Sequence, residues 1–174
     1  MTLGGSPGVL IGAGVSNTLE AIQKLWDAGA RHILVVNVPD LGVTPYGEAS
    51  GLSGGVTQLC FAYDQTLDAS LVALAGSGVP TIRVDAFAAL QNMVNFPASF
   101  GFTNVTQPLL QVGGNSEAFL FWDPVHPTML GHEGFADAAI HELINNYSPR
   151  RGQGFPPGLV NSLNGLVGAG KSKP

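Results

Sequence analysis

His32-Ile33-Leu34-Val35-Val36-Asn37-Val38, stopped by Pro39-Asp40-Leu41-Gly42, is the stretch on which the fold turns. A strand with one wet face alternates apolar and polar residues; this one is almost continuously apolar and β-branched, the pattern of a parallel strand buried on both faces. Parallel strands need crossover connections, so its neighbours should read as helices. Upstream, Val9-Leu10-Ile11 is a short apolar run closed by Gly12-Ala13-Gly14, and Leu19, Ile22 and Leu25 then recur at helical spacing up to Gly29. That order predicts strand, turn and helix, hence a βαβ unit over roughly residues 8–38.

Downstream, Gly47 to Gly55 reads as a mobile glycine-rich loop, and Thr57 to Leu74 as a helix carrying Leu59, Tyr63, Leu67 and Leu71. Val79 to Phe87 reads as a third strand, Ala88 to Met93 as a short helix, and Asn95 to Asn115 as irregular chain long enough to suggest function. Gly131 to Asn146 closes the domain as an amphipathic helix with Phe135, Ala138, Ala139 and Leu143 on one face. The expected fold class is α/β, a three-layer α/β/α domain over residues 1–147 with a short parallel sheet of about three strands. Residues 148–174 form a breaker-rich linker and a weakly apolar tail.

The chain has 174 residues, enough for one core without disulfides or metals. Charged residues make up 11% and hydrophobic ones 45%, against roughly a quarter charged in an average soluble domain. So charge-poor a surface predicts covered apolar patches, hence a homo-oligomer. A formal charge of −5, with no basic cluster beyond Arg150-Arg151, argues against nucleic acid as a partner. The longest apolar runs are too short to cross a bilayer, and the N-terminus has no basic signal-like start, so the chain reads as soluble with its localisation open. Cys60 is alone, which excludes an internal disulfide, and it should pack as a small hydrophobe.

Chemistry concentrates in Asp123-Pro124-Val125-His126-Pro127-Thr128. Pro124 fixes its own φ and keeps Asp123 extended, while Pro127 suits the first turn of the following helix. A turn so framed can fold a carboxylate onto an imidazole three residues later. That contact fixes the ring tautomer and leaves the other nitrogen free to take a proton from a serine hydroxyl. Asp123 also suits an Asx turn before proline, a role compatible with the first.

Gly29 to Pro45, Phe100-Gly101-Phe102-Thr103-Asn104-Val105 and Phe121 to Thr128 together resemble the GDSL or SGNH hydrolase family, in its bacterial secreted esterase and lipase branch. The resemblance covers roughly residues 17–146. It implies a truncated flavodoxin-like fold, and roles as triad acid and base for Asp123 and His126. It implies no cofactor, a small-molecule ester substrate, and relatives that are often exported. The family opens with a strand ending in Gly-Asp-Ser and later presents a Gly and an Asn for the oxyanion hole; this chain has neither Gly-Asp-Ser nor Gly-x-Asn-Asp.

The nucleophile must therefore be sought elsewhere. Ser16 falls where the expected strand-turn gives way to a helix, a place where backbone amides face an oxyanion, with Gly14 and Asn17 as candidate donors. Against that, Asn17 and Glu20 also fit a helix-capping pattern. Ser6 in a glycine-flanked setting, and Ser50 and Ser53 in the glycine-rich loop, are weaker candidates, and a serine from another chain is a further one. His132, Glu133, Asp137 and His141 lie on one helix but read as its polar face rather than as metal ligands. Phe100, Phe102, Phe119, Phe121 and Trp122 are either core or the lining of an acyl pocket.

The reading is a serine ester hydrolase acting on short to medium acyl esters: Ser16 attacks, His126 carries the proton, Asp123 orients the ring, and amides near Gly14 and Asn17 hold the oxyanion. The rival is an inert or binding module of the same fold. The first strand should present a bare edge at which further chains pack.

Overall fold

A computed structural model describes residues 6–146. It is mostly helical around a small parallel sheet. In chain order the elements are α1 (Pro7–Asp27), β1 (Leu34–Val36), α2 (Pro45–Ala49), α3 (Ser53–Gly76), β2 (Ile82–Val84), α4 (Ala86–Asn95), α5 (Leu109–Val112) and α6 (Met129–Asn146). Single 3₁₀ turns cover Leu41–Val43, Pro97–Phe100 and Ser116–Ala118. The linker and tail expected from residue 148 onward lie outside the described residues.

Among the described residues the sheet has two strands rather than about three. β1 and β2 run parallel with Leu34 opposite Ile82, Val35 opposite Arg83 and Val36 opposite Val84. Within the described residues β1 pairs with nothing else, so its outer edge is open, and Val36 is 52% exposed there while its partner Val84 is buried.

The strand expected at Val9-Leu10-Ile11 is instead the opening of α1, which starts with Pro7 at its first turn and runs unbroken to Asp27. An apolar run of three cannot be told from one helical turn by periodicity alone. Here the stripe Ile11, Val15, Leu19, Ile22 and Trp26 continues at helical spacing through the glycines and packs on one core with Ile33, Val35, Leu67, Leu71 and Val79. Gly14 is a close approach, not a turn: a Cβ there would stand 3.0 Å from the Tyr63 ring of α3. The crossover from α1 into β1 is thus an αβ rather than a βαβ unit.

α3 buries Cys60, Asp64, Leu67 and Leu71, spaced for one face of a helix, and starts four residues before the expected boundary. The glycine-rich stretch before it is ordered into α2 and the first turn of α3. The third strand shortens because Asp85 caps α4, accepting from the Ala88 amide at 2.9 Å. A second core joins Leu90, Met93, Phe102, Leu120 and Phe121. α6 contacts both α4 and β2.

Candidate active site

Phe121 and Trp122 end an extended segment that doubles back on itself. The Trp122 amide donates to the His126 carbonyl at 2.8 Å, the Thr128 amide to the Leu120 carbonyl at 2.8 Å, and Phe121 bridges antiparallel to Pro127. Residues 123–126 are therefore the tip of a tight loop. Its exit is locked by Thr128, whose hydroxyl donates to the Phe119 carbonyl at 2.7 Å and accepts from the Gly131 amide at 3.2 Å, capping α6. Gly131 must lack a side chain here, since a Cβ would fall 2.7 Å from Pro127.

Within that tip the Asp123 carboxylate has both of the roles open to it. Oδ1 accepts from the Val125 amide at 2.8 Å and the His126 amide at 2.7 Å, an Asx turn. Oδ2 lies 2.7 Å from His126 Nδ1. The His126 and Val125 amides, then the imidazole, hold the Asp123 carboxyl down to about 2, so it is ionised at any working pH. Its side chain is 31% exposed and that of His126 74%. With Nδ1 occupied by the carboxylate, the imidazole presents Nε2 outward, and among the described residues no hydroxyl hydrogen-bonds to it.

The loop does not stand alone. The Tyr46 amide at the start of α2 donates to the Pro124 carbonyl at 2.8 Å, tying the β1-α2 connection to the dyad. That connection is pinned in turn by Asp40, fully buried, which accepts from the Gly42 amide at 2.9 Å, from the Thr57 hydroxyl at 2.7 Å and from Gln91. Neither Tyr46 nor Asp40 was singled out for the site from the sequence. The Asp-Leu-Gly spacing after a strand is a signal that could have found Asp40, through its Asx turn; nothing local marks Tyr46.

Ser16, Gly14 and Asn17 lie in the interior of α1, with Ser16 and Asn17 exposed. The strand-to-helix turn that made them attractive is absent, and the Asn17 cap expected with Glu20 is absent with it. Amides at such positions point along the helix axis to the carbonyl four residues back, so they form no local anion nest. Ser50 is bound within α2, donating to the Gly47 carbonyl at 2.7 Å, and Ser53 donates to Glu48 at 2.9 Å. Ser6 flanks α1 as its N-cap residue, without a side-chain capping bond. Phe102 and Phe121 are core residues, 3% and 0% exposed, whereas Trp122 is partly open to solvent. No group of three or more His, Cys, Asp or Glu side chains among the described residues is arranged to hold a metal ion, and no described helix is long and apolar enough to cross a membrane.

A family model described as GDSL-like Lipase/Acylhydrolase matches residues 11–139. Among curated proteins, the chain is 26% identical over 151 residues to the GDSL esterase/lipase At5g45950 of Arabidopsis thaliana, covering 72% of this chain and 42% of that one. It is 25% identical over 146 residues to the anther-specific proline-rich protein APG of the same plant, covering 71% of this chain and 27% of the relative. With the thermolabile hemolysin of Vibrio parahaemolyticus the identity is 24% over 153 residues, covering 76% and 36%. The chain spans less than half the length of each of these relatives.

Proposed function

The chain belongs to the GDSL-like lipase/acylhydrolase family, and from that membership we propose that it works in carboxylic-ester hydrolysis as the acid-base half of a Ser-His-Asp triad. His126 Nε2 takes the proton of a serine hydroxyl as that oxygen attacks the acyl carbon. The tetrahedral intermediate expels the alcohol, which leaves with the proton from His126, and water repeats the sequence on the acyl-enzyme. Asp123 keeps the ring in the productive tautomer and stabilises its cationic form. The observation that carries this reading is the 2.7 Å contact between His126 Nδ1 and Asp123 Oδ2 with Nε2 left facing solvent.

The reading takes the nucleophile to be a serine donated by a further chain that packs along the open edge of β1. In that arrangement α1 with α3, and α4 with α6, are the outer layers of a three-layer α/β/α fold. Ser16, with Gly14 and Asn17 beside it, is the competing assignment. Association with further copies through the same edge belongs to the proposal, as do short to medium acyl esters as substrates.

Labelling the isolated protein, any associated chain retained, with a fluorophosphonate decides the matter. An adduct on a serine, lost in His126→Ala, is the expected result, and mass spectrometry names the serine. No adduct in the wild-type protein leaves the rival reading, a binding module of hydrolase descent.

A further inference from the structure

The start of α2 has backbone amides to satisfy, and it does so in different ways. Pro45, at the first position, has no N–H; the Gly47 amide donates to the Thr44 hydroxyl at 3.1 Å, and the Glu48 amide to the Thr44 carbonyl at 3.0 Å. The Tyr46 N–H between them leaves the helix and donates to the Pro124 carbonyl at 2.8 Å. The peptide it grips is the one that steadies the triad acid. Pro124 and Val125 share a peptide plane, and in a trans peptide the C=O and N–H point to opposite sides. That plane therefore accepts from Tyr46 on one side and, through the Val125 N–H, donates to Asp123 Oδ1 at 2.8 Å on the other. Turning it would carry the Val125 N–H off the carboxylate and leave the His126 amide alone on Oδ1, while Oδ2 holds Nδ1. Hydrogen bonds in series polarise one another, so the outer bond strengthens the inner one.

The donor is itself anchored in the protein interior. Asp40 and Thr44, both buried, tie the chain ahead of Tyr46: Asp40 accepts from the Gly42 amide and the Thr57 hydroxyl, and the Thr44 hydroxyl donates to the Leu41 carbonyl at 2.7 Å. Just after Tyr46 there is no slack either, since a Cβ on Gly47 would stand 2.5 Å from the Leu41 and Gly42 carbonyl oxygens. The Tyr46 ring, by contrast, is exposed, so the backbone and not the side chain carries the contact. Resting on the hydrolase reading above, we infer that the backbone N–H of Tyr46 is a positioning group for the dyad, setting the Asp123 carboxylate, and through it the His126 ring, by way of the Pro124–Val125 peptide.

Two variants of the full chain remove that N–H by different means. One carries the α-hydroxy acid of tyrosine at position 46, which puts an ester where the amide was; the other is Tyr46→Pro, which the first turn of a helix accepts. Tyr46→Ala keeps the N–H and loses only the ring. The readout is the pair of ring-nitrogen NMR shifts of neutral His126, which report the tautomer without any substrate. Wild type and Tyr46→Ala should show one tautomer, with the proton on Nδ1; the ester and Tyr46→Pro should show both. The same two variants should lose about tenfold in kcat at unchanged KM, the effect of one hydrogen bond. Where Tyr46→Pro does not fold by circular dichroism, the ester variant decides. A single tautomer retained in the ester variant, or a mixture already present in wild type, overturns the inference whatever the turnover. A ring that responds as expected in a protein that cleaves no ester fails only the hydrolytic reading.

Discussion

Asp123 divides its two oxygens between turn and imidazole, and the two jobs are separable by substitution. Asparagine can still accept from the Val125 and His126 amides but presents an N–H to Nδ1, forcing the wrong tautomer. Asp123→Asn should therefore fold normally and lose about 10⁴-fold in kcat; wild-type turnover would contradict the assigned role. The depressed carboxyl also fixes a sign. Because its folded value of about 2 lies below the ordinary value near 3.9, its contribution to stability is present above about pH 4 and disappears as pH falls toward 2. Acid titrations of wild type and Asp123→Asn, read by circular dichroism, should separate above pH 4 and converge near pH 2.

Elements tell a different story for local and distant contacts. α3, α4, α6 and the strand at residues 34–36 were legible because each carries a pattern longer than one turn or a nearly continuous β-branched run, although the strand is not buried on both faces as that run suggested: Val36 is exposed. The Asp-Pro-x-His-Pro loop was legible because the contacts that bring Asp123 onto His126 all lie within residues 123–126. The segment Val9 to Ile11 was misread, since an apolar run of three fits a strand as well as a helical turn, and of the three only Ile11 packs on the first core. The contact of Tyr46 with Pro124 joins residues 78 apart, beyond any local pattern. Two element junctions give predictions. Thr128→Ala removes the cap of α6 and should cost about 1–2 kcal/mol in chemical denaturation; no loss would show that the cap bond is replaced. Where α3 meets the end of β1, Asp64 Oδ1 accepts from the Val38 amide at 2.9 Å while Oδ2 is buried without a partner, and burial, aided by Asp85 and Asp68, pushes its carboxyl up to about 6. A raised acid costs stability as pH climbs from about 4 to 6 and keeps costing it above. Asp64→Asn should thus raise Tm at pH 8 and change it little at pH 4.

At the scale of the whole molecule, an open strand edge, a charge-poor composition and exposed apolar residues such as Val36, Tyr46 and Phe61 describe a body with surface to cover. Light scattering should accordingly give a mass above that of one chain, and a sharp monomer would contradict the proposed association. The hydroxyl partner of His126 was not legible in the sequence: no pattern beside the loop names it, and among the described residues no serine hydrogen-bonds to the ring. What the molecule does offer is a base held by its acid on a loop locked at both ends. The most direct test compares ester hydrolysis by the wild-type protein with that by His126→Ala, using p-nitrophenyl butyrate at pH 7.5. A fall in kcat/KM of at least about 10³-fold with an unchanged circular dichroism spectrum is predicted; hydrolysis at the wild-type rate would contradict the account.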